Sequence, residues 1–150
     1  MLRLSEPEKA YIAGIVDGEG TISIRTSEHR RQLYVHIGNT DKRLIDWLLK
    51  ILGCGATTSY QHREDWKPCH SFRIICQQAG EFLEEIYPYL ILKKRHAEIG
   101  INFVRGQRGL RGKRITQDRL NNELILQKEI KKLNIRGVPV DRFAKQTTDI

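Results

Sequence analysis

Two carboxylates, Asp17 and Glu19, stand among glycines where an apolar helical segment stops. The end of a helix carries partial negative charge, so acids there are disfavoured unless a cation or a hydrogen-bond donor offsets them. A bound divalent metal would supply that offset; two solvated acids after a glycine-capped helix are the plainer alternative. Ahead of the pair, Ala10, Gly14 and Gly18 recur at i, i+4 and i+8 with Ala13 beside them. Such spacing draws a side-chain-poor stripe down one helix face, along which a second helix could approach closely. The stripe and the glycine-flanked acid together are far more specific than either alone.

Other constellations are weaker. Cys54, Cys69 and Cys76 are odd in number and show no C-x-x-C spacing, which argues against a disulfide framework. Cys54, His62, Cys69 and His70 match no usual zinc pattern, so the cysteines read as reduced and structural. No Ser-His-Asp or Cys-His arrangement suggests a covalent nucleophile.

The elements around the acids follow from periodicity. Ser5-Glu6-Pro7-Glu8 is a helix start, and the first helix should run from about Glu6 to Asp17, with Tyr11, Ile12, Ile15 and Val16 packing on a sheet. The period then becomes two: residues 21–27 and 32–38 form an antiparallel hairpin with Ile22, Ile24, Leu33, Val35 and Ile37 on one side. Its opposite side gathers Ser23, Arg25, Gln32, Tyr34 and His36, side chains able to reach base edges and phosphates. Simple exposure of a polar face is the competing reading.

Asn39 or Thr40 should cap a helix through Leu52, with Gly53 as its stop and Trp47 at the core edge. A second hairpin is expected over 56–63 and 69–77, with Arg73 on the polar face and the register of the third strand open. A short helix over about 80–87 ends at Pro88, and another reaches about Val104. Residues 105–114, RGQRGLRGKR, are expected to be flexible, either a phosphate-binding loop or a basic linker. A helix over 118–134 should bury Leu120, Leu124, Ile130 and Leu133. The fold class is α+β: a four-stranded antiparallel sheet with helices on one face, plus a C-terminal helix. One domain over 1–137 is expected, with a core at 5–104, the basic loop and last helix at 105–137, and a flexible tail at 138–150.

A net charge of +8 and a pI near 9.6 favour a polyanionic partner over an acidic protein or a membrane. No apolar run approaches a bilayer span and the first residues lack a signal-peptide core, so a soluble intracellular protein is expected, its compartment unresolved.

Ile12 to Gly20 reads IAGIVDGEG and resembles the LAGLIDADG motif of the homing endonuclease family. The helix-hairpin-helix-hairpin-helix order also agrees with that family's αββαββα core and its saddle-shaped sheet. The resemblance implies a metal-dependent, sequence-specific DNA endonuclease, intron-encoded or carried by another mobile element. One motif copy implies the homodimeric branch, reading a palindromic or nearly palindromic site in double-stranded DNA. Carried over by position, Glu19 and the Gly18 carbonyl would hold Mg²⁺, with Mn²⁺ as a substitute. Lys93 would be the basic active-site residue, Asn39 would help position the attacking water, and Arg43, one helical turn later, would be a further catalytic residue. Ala10, Ala13, Gly14, Asp17 and Gly18 would form the dimer interface, while Ser23, Arg25, Gln32, Tyr34, His36 and Arg73 would contact DNA. The rival readings are a splicing maturase binding intron RNA and a non-cleaving DNA-binding regulator.

Overall fold

The computed structural model describes residues 4–110 and 112–135. The tail expected at 138–150 lies outside the described residues. Helix α1 spans Glu6–Glu19, with the Glu8 carboxylate accepting from the Ser5 backbone N–H at 2.7 Å. Strands β1 (Gly20–Ser27) and β2 (Arg30–Asn39) come next, then α2 (Lys42–Leu52), β3 (Ala56–Tyr60) and β4 (Cys69–Ile75). Helix α3 (Cys76–Ile86), a 3₁₀ turn at Tyr87–Tyr89, α4 (Lys94–Gln107) and α5 (Gln117–Leu133) complete the chain. Among the described residues no helix is long and apolar enough to cross a membrane.

The four strands form one antiparallel sheet in the order β1-β2-β4-β3. Alternation decides which face is covered: Ile22, Ile24, Leu33, Val35, Ile37, Phe72 and Ile74 all point into the core beneath the helices. Helices α1, α3 and α4 pack against that face, and Gly80 lets α3 close on α4, since a Cβ there would lie 2.9 Å from Val104 Cγ1. Each fully buried aliphatic or aromatic side chain contributes about 1.5–3 kcal/mol. Strand β3 is exposed along its whole length.

Several boundaries differ from the sequence reading, each for a local reason. Asp41 is the N-cap of α2, its carboxylate accepting from Arg43 N at 3.0 Å, while Asn39 Oδ1 accepts from Asp41 N. Strand β4 enters α3 without a loop because Cys76 takes a left-handed φ of 55°, so the helix begins four residues before Gly80. Helix α4 continues into the basic segment as far as Gln107, and two successive turns, Leu110 N to Gln107 O and Lys113 N to Leu110 O, carry the chain onward toward α5. Tyr11 is exposed, not packed on the sheet, and lies edge-on to Trp47 at 5.4 Å. In α5 Leu133 is exposed and the buried carboxylate is Glu123, which accepts from Arg119 Nε at 2.9 Å and Gln107 Nε2 at 3.0 Å.

Helix α5 lies against β1, the edge strand beside β2. Gln127 Nε2 donates to the Ile24 carbonyl at 3.1 Å and Asn134 Nδ2 to the Ile22 carbonyl at 2.8 Å. Two side-chain amides thus satisfy carbonyls that an edge strand otherwise turns outward.

Candidate active site and nucleic-acid face

The last turn of α1 delivers its two acids to different surroundings. Asp17 turns into its own chain, its carboxylate accepting from Ile91 N at 2.8 Å and Lys93 N at 2.9 Å. Partial burial pulls the Asp17 carboxyl upward, but the backbone N–H groups of residues 91–93 and the Lys93 charge outweigh it, leaving it below its ordinary value. In return Lys93 Nζ donates to the Asp17 carbonyl at 2.5 Å. Asp17 therefore joins the end of α1 to the segment leading into α4, which agrees with the structural part of the structural and interface role expected of it.

Glu19, two residues on, is exposed and has no hydrogen-bond or ion-pair partner among the described residues. It shares an open cleft of about 500 Å³ with Gly18, Lys93, His96 and Asn134. Glu19 and Lys93 are thus brought together. The Gly18 carbonyl belongs to the last helical turn, where carbonyls lack intrahelical donors. One carboxylate and such carbonyl oxygens are hard donors suited to Mg²⁺. Among the described residues no three His, Cys, Asp or Glu side chains cluster.

His96 and Asn134 carry no signal in the sequence that marks them for this cleft. Burial lowers the His96 pKa and the Lys93 charge lowers it further, against hydrogen bonding from the Leu133 backbone and the Asn134 side chain; its Nδ1 is buried without a partner. His96 arrives in the first turn of α4 just after Lys93, and Asn134 arrives because α5 crosses β1, which no local pattern announces.

Asn39 and Arg43 do not line this cleft. Pairing of Gly20 with Ile37 puts Asn39 at the same end of the sheet as Glu19, yet its side-chain oxygen is occupied by Asp41 N. Arg43 forms a two-pronged pair with Asp41, through Nε at 3.0 Å and Nη2 at 2.6 Å, and holds the Asp41 carboxyl down at about 2.

The stripe on α1 is partly as expected. Ala10, Gly14 and Gly18 are exposed, and a Cβ added at Gly14 or Gly18 would meet nothing within 4 Å. Ala13 is instead 0% exposed, a member of the chain's own core, which removes it from any surface seam. Gly20 behaves differently from Gly18: a Cβ there would fall 2.7 Å from the Val16 carbonyl oxygen.

On the uncovered sheet face the register sets Ser23 beside Tyr34, Arg25 beside Gln32, and His36 between Thr21 and Arg73. Arg25 lies 5.2 Å over the Tyr34 ring and donates to Ser23 Oγ at 3.1 Å. Burial, then the Arg25 charge, lowers the His36 pKa, favouring the neutral imidazole. The six residues expected at a DNA face therefore share one surface, joined by Thr21 and the exposed Ile75, which the polar alternation alone does not pick out.

An open antiparallel sheet with one polar face, helices behind the other, and an exposed acid at a helix-to-strand junction define an α+β architecture that leaves a broad polar surface uncovered. The family model for the LAGLIDADG-like domain matches residues 6–87, more than half of the chain, and the chain belongs to that family. The match includes the α1 acids and ends before Lys93. Solved structures agree in fold. The homing endonuclease I-CvuI in complex with its target superposes with a TM-score of 0.69 at 21% identity, over 88% of this chain and 84% of that one. The archaeal intron-encoded homing endonuclease I-Vdi141I complexed with DNA gives 0.73 at 16% identity, over 90% and 89%. The meganuclease I-SmaMI bound to uncleaveable DNA gives 0.68 at 18% identity, over 90% of this chain but 48% of that one. No curated protein sequence matches.

Proposed function

We propose that this protein is a divalent-metal-dependent, sequence-specific homing endonuclease that acts as a homodimer on double-stranded DNA. The observation that carries this reading is the free Glu19 carboxylate at the end of α1, beside Lys93 and on the border of a polar, uncovered sheet face. Family membership supports it, as do likenesses in fold to three nucleases, of which this chain spans about half of the longer one and most of the two shorter ones.

Glu19 and the Gly18 carbonyl of each subunit would hold Mg²⁺ at the scissile phosphate. When bound, the metal activates water and stabilises charge on the phosphate oxygens and the leaving oxygen. Lys93, kept at the cleft by its bond to the Asp17 carbonyl, adds positive charge beside the pentacovalent phosphorus. Water oxygen bonds to phosphorus, the bond from phosphorus to the 3′ oxygen breaks, and the 3′ oxygen takes up a proton. Arg43 would offer a phosphate the donors that its pair with Asp41 leaves unused.

Homodimerisation rests on the open stripe. Ala10, Gly14 and Gly18 leave room that nothing among the described residues fills, and closure of two such stripes would bring two Glu19 carboxylates together. A palindromic or nearly palindromic site follows from that two-fold arrangement. Arg25 and Arg73 suit guanine edges and Gln32 suits adenine.

Incubation with randomised duplexes and Mg²⁺, in parallel with Glu19→Gln, tests the reading. Wild type should select and cut a site, while the variant should bind it and cut at least ~10²-fold more slowly. Binding without cutting by wild type would favour the regulator, and selective binding of structured RNA the maturase. Equal cutting by the variant would remove Glu19 from its role.

A further inference from the structure

The tip of the β1–β2 hairpin is built at a conformational cost. Glu28 and His29 form its two-residue turn with φ of 46° and 70°, a geometry that glycine or asparagine adopts more readily. Beside it the segment after α4 folds back, with Gly109 at φ 71° and Gly112 at φ 79°, before Thr116 caps α5. Between the two runs an open cleft of about 390 Å³, lined by His29, Arg30, Arg31, Lys113 and Arg119, with one carboxylate, Glu123.

The base of this cleft is fixed. Glu123 accepts from Arg119 and Gln107, and Arg31 Nε donates to Gln127 Oε1 at 2.8 Å, linking β2, α4 and α5. Arg30 and Lys113 are exposed and have no acidic partner among the described residues. Arg30 also continues the β2 alternation of His36, Tyr34 and Gln32, so the polar sheet face runs directly into the cleft. Strand β1 separates the cleft from Glu19 by about 23 Å, roughly seven base-pair steps of duplex.

We propose that this cleft seats the sugar-phosphate backbone of duplex DNA outside the stretch covered by the sheet, with Arg30 and Lys113 as its contacts. It reads no base; it extends the footprint and adds salt-dependent affinity. The inference rests on the DNA-binding half of the proposed function. Charge complementarity calls for a polyanion, and continuity with the polar face assigned above to duplex DNA makes that duplex the occupant.

Binding of mixed-sequence DNA duplexes of about 30 and about 14 base pairs, and of a hairpin RNA of about 30 nucleotides, should be measured across salt for wild type, Arg30→Gln/Lys113→Gln, and a control pair, Lys50→Gln/Lys132→Gln. On the long duplex the cleft pair, which occurs twice in the homodimer, should flatten the log K against log salt slope by about 3.6 and weaken binding at least about tenfold near 0.15 M salt. The control pair should change the slope by less than about 0.5, and on the short duplex all three proteins should agree. Equal losses in both pairs would assign the effect to net charge and overturn the proposal, as would a loss confined to hairpin RNA. Wild-type binding with an unchanged slope in the cleft pair would sink this inference alone. Failure of wild type to bind either duplex would sink the endonuclease reading with it.

Discussion

Gly18 and Gly20 flank the same carboxylate but answer to different neighbours. Gly20 lets β1 leave α1 without striking the Val16 carbonyl, whereas nothing among the described residues presses on Gly18. Gly20→Ala is expected to cost about 1–3 kcal/mol by overpacking against backbone, read as a lower melting temperature. Asp17 is also held by its own chain, and Asp17→Asn should cost about 1–2 kcal/mol, moderated by partial exposure. Because the folded state depresses its pKa below the ordinary 3.8, the ionised form stabilises the fold above that value, and the benefit is lost as pH falls through the folded pKa. The melting-temperature gap between wild type and Asp17→Asn should therefore be full near pH 7 and vanish at strongly acid pH. Sequence alone pairs Asp17 with Glu19, since both sit at one helix end; their separation depends on residues 91–93 arriving from far along the chain.

At the scale of elements, periodicity makes α1, the first hairpin and α2 legible, because each keeps one face on the core and starts or stops on a recognisable residue. Helix α3 begins four residues earlier than its sequence suggests, since Cys76 turns the corner without any turn-forming residue. The buried face of α5 escapes its periodicity because Glu123 finds Arg119 and Gln107 there, partners that no helical period reveals. That helix also guards an edge. Asn134→Ala should cost about 1 kcal/mol or more by freeing the Ile22 carbonyl. A chain ending at residue 115 should expose the outer side of β1 and aggregate, detectable by light scattering on refolding. Of the site, Glu19 and the polar sheet face are legible in the alternation of types, while Lys93 comes from resemblance, and His96 and Asn134 only from tertiary packing.

For the whole molecule, the open stripe separates assembly from folding. Gly14→Leu should leave monomer stability unchanged or raise it by up to about 1 kcal/mol, since Gly is a poor helix former and the side chain meets only open space. The same variant should fail to dimerise by analytical ultracentrifugation and lose double-strand cleavage. Two basic surfaces, the sheet face and the hairpin-tip cleft, give the +8 charge a direction, and weak salt dependence of DNA binding would contradict that. The division of labour between the two acids has an inheritance of its own. Asp17 is guarded by folding, whereas no contact in the described chain protects Glu19. A lineage released from selection for cutting should therefore lose Glu19 first and keep Asp17, passing through intact, DNA-binding descendants before the fold itself erodes.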